Sequence, residues 1–415
     1  MSARKIFMLI TTLVLITSVF VGTVNALNSK PAPVAAAHLE NVRDYAAAST
    51  TDVDNAVNYA IDGGQLLKGN ASGWQQIQLP EGVIASAVAA DSQNSQIIYV
   101  GAANEMALYR SVDGGNQWQQ MVLDAETVGG VTDIAVDNFQ HLVYVGTDNA
   151  GVFRLRDVGS SMILGGHLLL DEPVLEVAAD STGAGLALVR TEWHLYRAEN
   201  FGLSWVTVEN LSSTPTAVAI ANTTPATIYV GTTDRGLLKS VDSGFTWERA
   251  NDGLGVNPGT RLHIDSLALD PAQPEVLYVA ASYLFGSTTV HNSPSTVAVT
   301  ADGAQQWTAL DGDVLNGASV AALMPVTGET GAVYALTNQS RSPLALGSAP
   351  APVLAETEPA VAAASPASNI STIIAWIVAS LAALALLFAA SVDMIGRRRG
   401  QWETLVPRFV RNAVK

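Results

Sequence analysis

A short stretch of sequence decides the fold of this chain, and it reads Ser111-Val112-Asp113-Gly114-Gly115-Asn116-Gln117-Trp118. The same arrangement returns from Ser240 to Trp247 and again from Thr300 to Trp307. In this arrangement the Asp carboxylate can accept turn N–H groups, a Gly permits a positive φ, and the Trp ring can fill a gap between sheets. The copies predict tight turns held by Asp113, Gly115, Trp118, Asp242, Gly244, Trp247, Asp302 and Trp307.

Two weaker copies keep the same register. Asn200, Gly202 and Trp205 form one, while Asp157 and Gly159 form the other, with Met162 where a tryptophan would stand. The tryptophans at positions 74, 118, 205, 247 and 307 are separated mostly by multiples of about 43 residues, with an insertion before the last. A period of about 40–45 residues is typical of a four-stranded blade in a β-propeller.

Within each period, apolar and aromatic runs are separated by Gly, Asn and Asp. Examples are Ile98–Gly101, Val143–Gly146, Ile228–Gly231 and Leu277–Ala280. The pattern indicates antiparallel strands, so we expect an all-β propeller over residues 57–347. Residues 57–78 supply the last three strands of a unit, and residues 318–347 supply only first strands. Two incomplete blades would give a ring of seven and one merged blade a ring of six; we favour seven.

The repeated motif resembles the Asp-box of the BNR-repeat superfamily, which includes sialidases, sortilin-like receptors, some glucanases and the propeller assembly factor of photosystem II. The resemblance covers about residues 57–347. It implies a β-propeller, and it implies structural roles for the motif residues because Asp-boxes in that superfamily lie away from the active site. It selects no activity, since function resides in sites rather than in folds.

The two ends of the chain carry the features of an exported, membrane-anchored protein. Residues 1–26 have the basic start, apolar run and small residues of a secretory signal peptide, with an uncleaved anchor as the alternative. Residues 370–392 predict one C-terminal transmembrane helix, and the basic tail 393–415 predicts a cytoplasmic C-terminus. Residues 27–56 form an Ala-rich lead-in, and residues 348–369 form a Pro- and Ala-rich stalk. We therefore expect a single-pass protein of the cell membrane whose propeller lies outside.

Composition excludes several classes of function. The net charge is −16, and many of the basic residues lie in the two ends, so the exported part is strongly acidic and unsuited to nucleic acid. The chain has no cysteine, which excludes thiol catalysis and favours a bacterial source. Its six histidines show no metal-ligand spacing, so we expect neither a metal nor a cofactor.

The candidate binding surface is the end of the ring opposite the motif turns, where the loops between second and third strands meet. The stretch Arg190–His194 combines basic, acidic and aromatic groups in place of a plain turn. An ordinary solvated loop is the alternative interpretation. The candidate binding residues are Asp148, Arg190, Glu192, Trp193, His194, Asp234 and Arg235.

The sequence selects no catalytic residues. A sialidase needs an arginine clamp for a carboxylate and a Tyr–Glu nucleophile pair, and neither can be assembled. An inverting glucanase needs two facing carboxylates, and no motif chooses a pair among Asp62, Asp148, Glu192 and Asp234. We therefore expect a non-catalytic binding or assembly scaffold for a protein or glycan partner. A membrane-tethered glycoside hydrolase is the alternative.

Overall fold

The computed structural model describes residues 39–48, 57–70, 73–255, 258–286, 289–310, 315–327 and 329–349. These residues form seven antiparallel sheets that follow one another along the chain. The first strands of all seven sheets surround one central channel. The protein is thus an all-β propeller, and the prediction of seven blades is confirmed.

The strands follow chain order through the blades. Blade one contains β1 (Val42–Ala48), β2 (Val57–Asp62), β3 (Gln65–Asn70) and β4 (Gly73–Ile77), and blade two contains β5 (Ala85–Ala90), β6 (Ile98–Ala102), β7 (Ala107–Ser111) and β8 (Gln119–Val122). Blade three contains β9 (Val131–Asp137), β10 (Leu142–Thr147), β11 (Val152–Asp157) and β12 (Met162–Leu168), and blade four contains β13 (Glu176–Ala179), β14 (Ala187–Arg190), β15 (Leu195–Glu199) and β16 (Ser204–Thr207). Blade five contains β17 (Pro215–Ala221), β18 (Thr227–Thr232), β19 (Leu237–Ser240) and β20 (Glu248–Arg249). Blade six contains β21 (Arg261–Asp270), β22 (Gln273–Phe285), β23 (His291–Asn292), β24 (Thr296–Thr300) and β25 (Thr308–Ala309), and blade seven contains β26 (Val320–Pro325), β27 (Ala332–Thr337) and β28 (Leu344–Gly347).

The first blade begins earlier than the sequence predicted. β1 lies inside the segment that we interpreted as a lead-in, residues 27–56, and it pairs with β2 along its length. Alanine is a poor strand former, so the second half of β1 gave no strand signal. Pairing with β2 and packing against blade two stabilise it instead.

Blades six and seven depart from the four-stranded pattern. In blade six the predicted insertion lengthens β22 to 13 residues and adds β23, which pairs with the end of β22. In blade seven, three strands lie within the described part of the chain, in the order β26-β27-β28. The longer interval before Trp307 indicated the insertion, but it did not indicate that the insertion would extend β22 and add β23.

The hydrophobic core consists of one cluster between each pair of neighbouring blades. Second strands are the most buried, and every residue of β6, β10 and β18 is inaccessible to solvent or nearly so. The cluster between blades seven and one is the smallest, with Val42, Met324 and Leu336 as its buried residues. Each of the other six clusters has nine or more buried residues.

The turns at the repeated motif have the hydrogen bonds expected of them. Asp113 Oδ1 accepts the backbone N–H of Gln117 at 2.9 Å, and Gly115 has a φ of +95°. The same carboxylate-to-backbone bonds are present in the copies that end at Trp247 and Trp307. In these three turns the motif carboxylate therefore holds the backbone that follows it.

The motif tryptophans also join neighbouring blades. Each indole N–H donates to an oxygen at the end of the preceding blade, at 2.8 to 3.1 Å. The pairs are Trp118 with Gln78, Trp247 with Asn210, and Trp307 with Ala250. The ring of Trp307 is buried, whereas those of Trp118 and Trp247 keep some exposure.

The two degenerate copies use different contacts. Trp205 packs edge-on against Tyr144 of blade three, with ring centroids 5.9 Å apart, and Asn200 and Gly202 both have a positive φ. In the other copy, the carboxylate of Asp157 accepts hydrogen bonds from two blades. Asp157 Oδ1 accepts the N–H of Gly159, and its Oδ2 accepts from Arg110 and Tyr99 of blade two.

The segments predicted as signal peptide, transmembrane helix and basic tail lie outside the described residues, as does nearly all of the stalk. Within the residues that the structure does describe, no helix has the length and apolar character needed to cross a membrane.

Candidate functional site

The two ends of the ring differ in what they present. The up-and-down strand order puts the turns between second and third strands, and the connections between blades, at one end, which we call the loop face. The motif turns and the turns between first and second strands lie at the other end, which we call the motif face. All candidate binding residues lie at the loop face or at the strand ends beside it.

Exposed apolar side chains on the loop face gather where blades three and four meet. The connection 169–175 presents Leu169, 68% exposed, and Leu175, 46% exposed, and the neighbouring turn presents Trp193, 62% exposed. Other exposed apolar side chains at this end are Ile84, Val128, Phe285 and Val290. Exposed apolar groups that gather in one region mark interaction sites more often than isolated ones do.

The connection 169–175 and the turn 190–194 are held together by hydrogen bonds. Glu172 Oε1 lies 2.7 Å from His194 Nδ1 and accepts the hydroxyl of Tyr196 at 3.2 Å. The N–H of Leu175 donates to the carbonyl oxygen of Arg190 at 2.9 Å. This pairing leaves the side chain of the adjacent Trp193 facing solvent.

The ionisation of Glu172 fits this arrangement. Burial acts to raise its pKa, but hydrogen bonds from His194, Thr191 and Tyr196 outweigh burial and hold the pKa below its usual range. The carboxylate is thus a stable anion at neutral pH. It fixes His194 and is poorly suited to donate a proton as a general acid.

Arg190 points away from this surface and into the central channel. Its Nε lies 2.9 Å from Glu176 Oε2, and its side chain is only 14% exposed. The channel encloses a cavity of about 560 Å³, lined by residues from the first strands of every blade. Although they are close in sequence, Arg190 and Trp193 therefore belong to different sites.

The channel contains acidic residues that the sequence analysis missed. Asp44, Asp133, Glu176 and Asp265 line it, together with Arg43, Arg190 and Arg341. Three of these carboxylates each accept a hydrogen bond from a backbone N–H of the next blade. The pairs are Asp44 with Val88 at 2.6 Å, Asp133 with Val177 at 2.6 Å, and Glu176 with Val218 at 3.1 Å. An acidic residue within an otherwise apolar first strand, such as Asp133, is the sequence pattern that could have indicated these channel acids.

Burial dominates the ionisation of these channel acids. It raises the pKa of Asp44 to about 6. It also raises the pKa of Asp133, and the charge of Asp44 raises it further. Since Asp44, Asp133 and Glu176 join each blade to the next by hydrogen bonds, we assign them a structural role.

The remaining candidate acids are tied into loop contacts. Asp148 Oδ1 accepts the N–H of Gly130 at 2.9 Å. Asp234 accepts the hydroxyl of Ser213 at 2.6 Å, and two arginines, Arg235 and Arg261, each approach it to 4.0 Å. The structure thus separates Asp148 and Asp234 from Trp193, on different blades of the loop face.

Across residues 39–349, apart from the gaps between the described ranges, no three His, Asp or Glu side chains are grouped so that they could hold a metal ion.

Comparison with known proteins identifies the fold. No protein-family model and no curated protein sequence matches the chain. Among solved structures, a GH74 xyloglucanase from Xanthomonas campestris is similar, with a TM-score of 0.54 and 18% identity over 73% of this chain. The match spans 52%, about half, of that enzyme.

Two structures of YCF48 are similar over almost their whole length. YCF48 bound to a D1 peptide has a TM-score of 0.53 and 14% identity, covering 77% of this chain and 97% of that one. YCF48 from Cyanidioschyzon merolae has a TM-score of 0.51 and 14% identity, covering 76% of this chain and 96% of that one. Likeness at these identities concerns the fold alone. The chain is a seven-bladed β-propeller of the kind found in the GH74 xyloglucanase and in YCF48.

Proposed function

We propose that this protein is a membrane-anchored, extracytoplasmic propeller that binds a protein or glycan partner through its loop face and catalyses no reaction. The observation that carries the proposal is a contrast on that face. Three of its four candidate catalytic acids, Asp62, Asp148 and Asp234, are engaged in contacts within the protein, whereas Trp193 and the leucines beside it are exposed.

The acids argue against hydrolysis in detail. A glycosidase needs two carboxyl groups that face each other across a sugar, about 5–10 Å apart. Asp62 instead accepts the N–H groups of Glu40 and Asn41, at 2.9 and 2.6 Å. Asp148 and Asp234 likewise accept hydrogen bonds from their own loops. Among the four acids that the sequence offered, Glu192 therefore has no free carboxylate to act with it.

The similar solved structures offer support for two candidate functions, partner binding and glycoside hydrolysis. YCF48 has a structure with a peptide bound, which favours the binding role. The GH74 neighbour is a xyloglucanase. Glu192 and His194 flank the exposed Trp193 in sequence, and His194 contacts Glu172, which favours a tethered glycoside hydrolase as the second candidate. The engagement of Glu172 with His194 and Tyr196 makes binding the better supported of the two.

A hydrolysis assay separates these candidates. The full-length chain, purified in detergent, is incubated with xyloglucan, other β-glucans and sialosides, and sugar release is measured. We expect no turnover above a buffer blank. Release that is lost in Glu172→Gln or Glu192→Gln, but kept in the motif-face control Glu275→Gln, would show that the protein is a hydrolase.

Anchoring rests on the apolar segment 370–392 and the basic tail after it. Protease added to intact spheroplasts should remove the propeller and spare an epitope placed after Lys415. Protection of the propeller with loss of the epitope would reverse the topology.

A further inference from the structure

One part of the loop face combines exposed apolar groups with negative charge. It comprises Leu169, Asp171, Glu192, Trp193 and, where this surface meets the central channel, Leu175; we call these five residues the blade 3/4 patch. All five residues are exposed. The basic groups closest in sequence are both engaged elsewhere: Arg190 pairs with Glu176 in the channel, and the His194 ring lies against Glu172.

The backbone under this patch is fixed in advance of binding. The N–H of Thr191 donates to the carbonyl oxygen of His194 at 3.0 Å, and the N–H of His194 donates to the hydroxyl oxygen of Thr191, also at 3.0 Å. The N–H of Leu175 ties the other segment to the same turn. A surface held in this way loses little conformational entropy when a partner binds.

We propose that the blade 3/4 patch binds a polypeptide segment in which lysine or arginine lies next to apolar side chains. This inference rests on the proposed function and names the chemistry of its partner. An exposed indole attracts a cation over its face, and the carboxylates of Asp171 and Glu192 supply the opposite charge beside it. Leu169 and Leu175 then contact the apolar neighbours of that cation.

Charge also decides against other occupants. An acidic peptide or an anionic lipid surface would meet Asp171 and Glu192 with like charge. The strongly acidic exported part, within a chain of net charge −16, repels such partners at longer range as well. A basic and apolar segment is complementary to the negative charge of the patch and to the negative net charge of the chain.

Fluorescence anisotropy with defined peptides tests the proposal on the full-length chain in detergent. The probe is a labelled 12-residue peptide of lysine, leucine and glycine. Its controls replace lysine by glutamate in one peptide and leucine by serine in another. We expect the Lys–Leu peptide to bind at least about tenfold more tightly than either control, a difference of about 1.4 kcal/mol, because each control removes all the side chains of one class.

Matched variants locate the binding. Trp193→Ala should weaken binding about tenfold or more, and Glu192→Gln should weaken it and flatten its dependence on salt. Phe139→Ala and Glu275→Gln change an exposed ring and an exposed acid on the motif face and should have no effect. Circular dichroism of each variant checks that the fold is intact.

Three results would overturn the inference: no binding of the Lys–Leu peptide, equal binding of the glutamate peptide, or equal losses from the motif-face variants. Such failure concerns only the partner's chemistry. The proposed function fails separately, through sugar release in the hydrolysis assay.

Discussion

Trp307 shows what a single motif side chain contributes. Its ring is buried against the core between blades five and six, and its indole N–H donates to the carbonyl oxygen of Ala250 at 2.8 Å. Trp247 has the equivalent bond to Asn210, but its ring is partly exposed. Tryptophans at equivalent positions of the repeat should therefore contribute different amounts to the free energy of unfolding.

We expect Trp307→Ala to lower the free energy of unfolding by about 3–5 kcal/mol, as for other buried aromatic truncations. Trp247→Ala should cost less, because less of its ring leaves water. Urea denaturation followed by circular dichroism measures both, with the exposed Trp193→Ala as a control that leaves stability unchanged. Equal costs at the three positions would contradict the assignment of these roles.

The motif residues were predictable from sequence because their bonds are local. Asp113 contacts a backbone group four positions away, and Gly115 needs only its own φ. Asp44 and Asp133 were not predictable in the same way. Their partners lie 44 residues away, on the next blade, and only the closed ring brings them together.

At the scale of the strands, the contact between blades two and three depends on a buried ion pair. Arg110 on β7 and Asp157 on β11 have side chains only 4% and 8% exposed. The hydroxyl of Tyr99 donates to the same carboxylate oxygen at 2.6 Å. Removing one member leaves the opposite charge buried without its partner.

We expect Asp157→Ala to cost about 3–5 kcal/mol in stability, which is the usual result of breaking a buried pair. The double variant Arg110→Met with Asp157→Leu should recover most of that loss, because no charge is then left buried. Chemical denaturation of the single and double variants makes the comparison. A double variant as unstable as the single one would show that packing, and not charge, dominates there.

Strands were predictable from the sequence where they are rich in β-branched and aromatic side chains. The second strands are rich in Val, Ile and Tyr, and they are the buried strands of the structure. β1 was missed because its alanines have no strand preference, and β23 because two residues give no pattern. In both cases a partner strand, and not local preference, decides the structure.

At the scale of the whole molecule, the ring has one weak interface. Blades seven and one share the smallest core cluster, and one backbone hydrogen bond adds to it, from the N–H of Val42 to the carbonyl oxygen of Arg341 at 3.3 Å. The side chain of Arg341 also donates to the carbonyl oxygen of Val42 at 3.2 Å. Opening of the ring should therefore begin at this interface.

Amide hydrogen exchange can detect this opening. We expect β1 and β26 to exchange faster than β9 and β10, whose blade lies between two large core clusters. Arg341→Ala should accelerate exchange in β1 without changing β9. Uniform protection around the ring would contradict a weak closure.

The channel acids make stability depend on pH. The pKa of Asp44 is about 6 in the folded protein against an ordinary value of 3.8. Between these values the folded state binds more protons than the unfolded state, so stability falls as pH rises from about 4 to about 6.

Asp44→Asn removes this charge and keeps an oxygen for the N–H of Val88. We expect it to stabilise the protein at pH 7.5 by about 1 kcal/mol, less than a full two-unit shift implies because Asp44 retains some exposure to the channel. Little change is expected at pH 4. Thermal melts at the two pH values measure the difference, and a variant destabilised equally at both would argue against a buried charge.

The candidate site was predictable from the sequence in part. The sequence pointed to the turn 190–194, and the structure shows Trp193 exposed there, but it turns Arg190 into the channel. The exposed leucines of the connection 169–175 were not singled out, because their proximity to that turn depends on how blades three and four pack.

Site-specific photo-crosslinking tests partner binding at the loop face most directly. A benzophenone amino acid is placed at Leu169 on the loop face or at Phe139 on the motif face, which are 68% and 61% exposed, in the full-length protein inside the cells that produce it. If the partner binds at the loop face, position 169 yields a discrete crosslinked partner and position 139 yields none. A partner captured from position 139 alone would contradict binding at the loop face.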